Sequence, residues 1–129
     1  MVPLNSAYRV YINLRDLISE DIEEFWVMAL DPGKHLIANR MVSRGTVDHC
    51  LVHPRDVFRF ACQANASSLL IAHNHPSQDM SPSPQDILLT ERLVKASQLI
   101  EIPIVDHILL SPLDFRSFKG EGWVSFPNV

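Results

Sequence analysis

Between Leu69 and Ile100 the chain changes character twice. An unbroken apolar run, Leu69-Leu70-Ile71-Ala72, ends at His73-Asn74-His75; a proline-rich polar stretch follows to Pro84; a helical pattern then runs from Asp86 to Ile100. So short and apolar a run reads as a strand covered on both faces, and strand, polar loop and helix in succession make one unit of a layered α/β fold. The unit delivers two imidazoles one residue apart and, eleven residues after the second, a carboxylate at the head of a helix.

Taken singly, each of these residues has an ordinary structural explanation. His73 ends a buried strand and His75 sits in a loop. Ser83-Pro84-Gln85-Asp86 is a helix start, with Ser83 as N-cap, Pro84 at the first helical position and Asp86 closing a capping box. Together they carry more. A helix beginning near Pro84 aligns Asp86 with Leu89, Leu93, Ala96 and Ile100 on its apolar face. A carboxylate heading an inward face needs a partner, because burying it unpaired is costly. A metal ion held by His73 and His75 is such a partner. Two imidazoles and a carboxylate suit Zn²⁺, and three protein ligands leave its fourth tetrahedral position for water, the catalytic arrangement.

The remaining chain supports one α/β domain. Ser6 to Ile18 reads as a helix on the spacing of Val10, Leu14 and Leu17 and of Tyr11, Leu14 and Ile18. Glu23 to Asp31, with Phe25 to Leu30 apolar on both faces, reads as a covered strand. Asp31-Pro32-Gly33-Lys34 is a turn leading into a hairpin partner over His35 to Thr46. Pro54 to Asn65 is a second helix, with Val57, Phe58, Ala61 and Ala64 inward. Ser83 to Leu99 is a third, broken at Glu101-Ile102-Pro103, and Ile104 to Leu110 is another buried strand. Phe115 to Phe118 and Trp123 to Phe126 are expected as short edge strands. Hairpins at both ends make the expected sheet mixed.

At 129 residues and 47% hydrophobic, the chain is of single-domain size and buries a sufficient core. No apolar run approaches the roughly 20 residues of a membrane helix, and Met1-Val2-Pro3-Leu4-Asn5 lacks the flanks of a signal peptide. Cys50 and Cys62 then read as free thiols of a reducing, cytoplasmic compartment. A net charge of −4 argues against strong direct nucleic-acid binding. Arg40, Arg44, Arg55 and Arg59 are a local basic cluster, more simply a solvated rim.

His-x-His-Pro, followed eight and eleven residues after the second His by Ser83 and Asp86, resembles the JAMM metalloprotease motif. The wording His73-Asn74-His75-Pro76-Ser77, then Pro82-Ser83-x-x-Asp86, resembles the RadC branch of that superfamily. Glu23-x-Phe25, Leu30-Asp31, Gly45-Thr46, His53-Pro54-Arg55-Asp56-Val57-Phe58, Thr90 and Asp106-His107-Ile108 extend the likeness over most of the chain. One departure is Gln78, where RadC proteins usually carry Gly.

The resemblance implies a mixed, curved sheet between helices, the JAMM fold related to cytidine deaminases. Over residues 1–129 it covers the JAMM domain without the helix-hairpin-helix region that RadC proteins normally carry before it. It implies a zinc metallopeptidase or isopeptidase in which His73, His75 and Asp86 hold Zn²⁺, a Glu early in the chain is the base and Ser83 hydrogen-bonds the developing oxyanion. The base is Glu23 or Glu24, which face opposite ways on a strand, and the resemblance favours Glu23. Ser83 as cap and Ser83 as oxyanion donor stay open. His107 is either a core histidine or a support for the ligands. The expected partner is a protein or peptide substrate. The alternative is a non-catalytic accessory protein of DNA repair or recombination with a structural or vestigial metal site.

Overall fold

The structure, a computed structural model, describes residues 3–19, 21–45, 52–76 and 79–127. Helix α1 (Ala7–Leu14) precedes strands β1 (Glu24–Leu30) and β2 (Leu36–Arg44), helix α2 (Pro54–Gln63), strand β3 (Ser68–Asn74), helix α3 (Pro84–Ile100) and strands β4 (Ile104–Leu110) and β5 (Phe115–Ser117). The strands form one sheet in the order β2-β1-β3-β4-β5. β1 pairs antiparallel with β2 and β3, β3 runs parallel to β4, and β5 returns antiparallel. This is the mixed sheet flanked by helices that the sequence predicts.

Two apolar cores explain the uninterrupted apolar runs. Phe25, Val27, Leu69, Ile71 and Leu109 pack with Val57 and Phe58 of α2 and Leu93 and Val94 of α3. Met28, Leu30, Leu70, Ala72, Ile108 and Leu110 pack with Val10 and Leu14 of α1. Covered on both sides, β3 has all seven residues buried. Pro84 at the first turn starts α3, and Glu101, in the left-handed region at φ 63°, ends it by returning its N–H to Ser97 O. Among the described residues no helix is long and apolar enough to cross a membrane.

Several local expectations need correction. α1 stops at Leu14, and Leu17 points to solvent at 51% exposure. Trp123 to Phe126 is not a strand. The Trp123 N–H bonds back to Phe118 O, and a tight turn at Gly122 (φ 73°) folds the segment inward. Val124 and Phe126 thus fill the core singly rather than line a sheet face. The buried face of α3 is also rotated from the apolar stripe. Thr90, Leu93, Val94 and Ser97 are buried, while Ile100 is 43% and Leu99 88% exposed. Two hydroxyls on the inward face misled the apolar template: Ser97 Oγ donates to Val94 O, and Thr90 Oγ1 donates to Asp86 O, so neither enters the core unsatisfied.

That rotation is measurable by denaturant unfolding. Leu93→Ala, at a fully buried position, should destabilise the fold by about 2–5 kcal/mol. Ile100→Ala should change it by less than about 1 kcal/mol. Equal losses would restore the stripe read from sequence.

Candidate metal centre

The site is built on the end of β3. Alternation along a strand puts His73 and His75 on one side and Asn74 on the other. Phe25 of β1 lies opposite His73, so the same alternation, two residues further, brings Glu23 across from His75 and turns Glu24 away. Asn74 fixes this arrangement from the opposite face. Its Oδ1 accepts the Glu24 N–H at 2.6 Å, and its Nδ2 donates to Ser19 O and Ile22 O at 2.7 and 3.0 Å. The Glu24 carboxylate accepts from Ser19 N and Trp26 Nε1 and faces Arg44 Nε at 3.4 Å. Glu24 is therefore committed to the turn before β1, whereas Glu23, buried, stands with His73, His75 and Asp86.

One potential ligand atom from each of Glu23, His73, His75 and Asp86 lies within 4.8 Å of the others. His73 Nε2 and His75 Nε2 are 3.1 Å apart, and Asp86 Oδ2 is 3.2 Å from the second and 3.4 Å from the first. His75 Nδ1 lies 2.7 Å from the Asp79 carbonyl, which can only accept, so Nδ1 carries the proton and Nε2 of the neutral ring is bare. Lone pairs converging this closely repel unless a cation lies among them. A tetrahedral ion with bonds of ~2.0–2.1 Å separates its ligands by about 3.3 Å, close to the spacing found. His73, His75 and Asp86 thus fit a divalent ion chemically and metrically, with Glu23 beside them.

Asp86 has two duties that sequence presents as alternatives. It closes the capping box, with Oδ2 accepting the Ser83 N–H at 2.8 Å, and the same oxygen faces both imidazoles. Ser83 Oγ accepts the Asp86 N–H at 3.1 Å; this occupies a lone pair and leaves the hydroxyl proton to be donated. Burial raises the Asp86 pKa, but hydrogen bonds from His73 and His75, the charge of His73 and the Ser83 N–H outweigh it and hold the carboxyl far below its usual range. Burial lowers the basicity of His75, but the hydrogen bonds to Asp86 and the Asp79 carbonyl, with the charges of Asp86 and Glu23, outweigh it and raise its pKa above the ordinary 6.5. The pocket attracts a positive charge, proton or metal.

Behind the cluster lies a buried polar row only partly readable in the sequence. His73 Nδ1 is 2.7 Å from His107 Nε2, and His107 Nδ1 is 2.7 Å from Thr90 Oγ1. Burial, then the charge of His73, pushes His107 well below the ordinary histidine pKa. Asp106 anchors this part of β4. Its carboxylate accepts from its neighbour's N–H on His107, from Lys119 N and, in a very short bond, from Ser117 Oγ, although burial still leaves its pKa raised. Thr90 carries a findable signal: one turn after Asp86, it shares that residue's helix face. Asn74 carries none, since nothing local distinguishes it from a loop asparagine.

His35, His53 and the clustered arginines lie outside this group. His35 pairs with Asp31 at 3.2 Å, and His53 is the N-cap residue of α2 but gives it no side-chain bond. Arg40 covers the Phe60 ring at 5.0 Å, Arg44 pairs with Glu24 and Arg55 lies 3.7 Å from the Asp56 carboxylate, so three of the four clustered arginines have local partners. Cys62 is a free, exposed thiol. His49, Cys50 and Gln78 lie outside the described residues.

The family model for a RadC-like JAB domain matches residues 4–123. A UPF0758 protein of Thermotoga maritima is 40% identical over 119 residues, covering 92% of this chain and 54% of that protein. One of Picosynechococcus is 43% identical over 115 residues, covering 88% and 47%. One of Synechocystis is 37% identical over 116 residues, covering 88% and 48%. The chain thus spans about half the length of the curated relatives it matches, and their names state no activity.

The raised His75 pKa sets the pH dependence of metal binding. A metal must displace the His75 proton, so affinity should be level at alkaline pH. It should fall as pH drops through the raised value, beginning above 6.5, by about tenfold per pH unit for one displaced proton. Asp86, with its lowered pKa, adds no competing proton until well below 3.8. Zinc titrations against a competing chelator from pH 8 to 5 measure this; an affinity constant down to pH 6 would contradict it.

Proposed function

Because this chain belongs to the family of RadC-like JAB domains, we propose that it is a zinc-dependent hydrolase that cleaves an amide bond in a protein or peptide. The supporting observation is the convergence of two imidazole nitrogens and the Asp86 carboxylate, with Glu23 beside them. His73 Nε2, His75 Nε2 and Asp86 Oδ2 are the ligands. Zinc so held supplies a polarised water that loses a proton near neutral pH.

The chain's own groups do the rest. Glu23 takes the proton from the attacking water and returns it to the departing nitrogen, as a positioned carboxylate does. Its placement in a buried pocket beside His75 keeps it close to the reacting atoms, and the capture of Glu24 by Ser19, Trp26 and Arg44 leaves one acid for the task. Ser83 donates its free hydroxyl proton to the oxygen that gains charge in the transition state, while its lone pair caps α3. Cap and oxyanion donor are then compatible. A depression of about 160 Å³, lined in part by Ser19, Asn74, Pro76 and Pro112, reaches His75 from the Asn74 side.

Purified protein should contain about one zinc per chain and hydrolyse members of a peptide library. Glu23→Gln keeps size and hydrogen bonding but removes the base. It should retain zinc while hydrolysis drops by roughly 10²–10⁴-fold, and Glu24→Gln should keep most of the activity. Loss of zinc in Glu23→Gln would make Glu23 a fourth ligand, and a zinc-loaded protein that cleaves nothing in the library would favour a structural site. Asp86→Ala should lose the metal and, through the lost half of the capping box, some stability. Asp79→Ala should keep the metal, because Asp79 holds His75 through its backbone carbonyl.

A further inference from the structure

We infer that Thr90 and His107 are positioning residues that fix the hydrogen on His73 Nδ1 and thereby leave His73 Nε2 bare. The significance for metal binding rests on the function proposed above; the placement of the hydrogens does not. Three contacts of 2.7 Å run in series: Thr90 Oγ1 to Asp86 O, His107 Nδ1 to Thr90 Oγ1, and His73 Nδ1 to His107 Nε2. Each is too short for two facing lone pairs, so each contains one hydrogen. A backbone carbonyl has none to give, so the first contact takes the hydroxyl hydrogen of Thr90. The second must then be an N–H of His107 donating to the hydroxyl oxygen. His107 is fully buried, with no carboxylate in the row, and a buried imidazole without an acid is neutral. Its one hydrogen is therefore on Nδ1, its Nε2 can only accept, and the third contact takes the hydrogen of His73 Nδ1.

Three hydrogens, one from the hydroxyl and one from each neutral ring, fill three contacts in a single direction. The row starts at the backbone of Asp86, whose carboxylate faces the same site, and ends on the ring of His73. It is mechanically held as well. The His107 ring stacks on Phe118 at 4.0 Å and 9°, and meets the edge of Phe25 at 5.5 Å and 68°, so its two nitrogens cannot exchange places by a ring flip without opening the core. A neutral imidazole in water prefers no such assignment strongly enough to guarantee a bare Nε2; hydrogen-bond partners on the other nitrogen decide it.

Long-range ¹H–¹⁵N NMR of ¹⁵N-histidine-labelled, metal-free protein at about pH 9, where imidazoles are neutral, reads the hydrogens directly. His73 and His107 should both be protonated on Nδ1. Thr90→Val keeps the shape and removes the acceptor. It should release both rings from that form and weaken zinc binding about 10- to 100-fold, and Thr90→Ser should restore both signatures. A wild-type spectrum with a hydrogen on His73 Nε2 overturns the inference, as does a folded Thr90→Val protein with unchanged tautomers and zinc affinity. If Thr90→Val does not fold, the wild-type and Thr90→Ser spectra still decide. Correct tautomers in a protein that binds no zinc would refute the proposed function and leave the row standing; tight zinc binding with a hydrogen on His73 Nε2 would do the reverse.

Discussion

The hydrogen-bonded register between β1 and β3 is the constraint on which the site depends. It places Phe25 opposite His73, and strand alternation then decides every neighbouring side chain. Glu23, His73 and His75 fall on the face covered by α3, whereas Glu24 and Asn74 fall on the other. A slip of one residue would exchange these sets, sending the acid that Asn74 and Arg44 now hold into the cluster. The register is over-determined. β1 is buried along nearly its whole length, β3 throughout, and Asn74 ties Glu24 and the residues before β1 through three hydrogen bonds. A pocket assembled from residues fifty positions apart in sequence needs that redundancy.

The pocket is electrostatically unbalanced by itself. The half-buried Asp86 carboxylate and two imidazoles converge on one point, and the directions of the Asp86 and His75 pKa shifts both favour positive charge there. The rest of the polar interior is balanced. Among the described residues no buried side-chain nitrogen or oxygen lacks a hydrogen-bond partner. Thr90, Ser97, Asn74 and His107 are buried at the cost of desolvation and are each repaid by specific bonds. Two imidazoles and two carboxylates nonetheless converge at one location, a pattern common at functional sites.

Much of this was legible in the sequence because its strongest signals are local. The apolar runs of β1 and β3, the proline at the head of α3 and the His-x-His spacing each specify conformation without reference to distant residues. Strand alternation already separated Glu23 from Glu24, although only the fold shows which of them reaches the histidines. The hidden parts are those in which polarity is inward. Thr90 and Ser97 carry the buried face of α3 where an apolar template expects Ile100, and His107 is a core residue with a polar duty. Trp123, Val124 and Phe126 have strand-like composition but bury themselves from a turn, an arrangement set by tertiary packing that alternation does not encode.

The central claim is that His73 and His75 present Nε2, together with Asp86, to a single divalent ion while Glu23 stays out of bonding range. Anomalous X-ray diffraction at the zinc edge, from crystals of zinc-loaded protein, tests it most directly. The account predicts one strong peak bonded to His73 Nε2, His75 Nε2 and Asp86 at about 2.0–2.2 Å, with the Glu23 carboxylate beyond that distance. A peak bonded through an Nδ1 atom, a peak coordinated by Glu23 in place of an open position, or no peak among these four residues would contradict it.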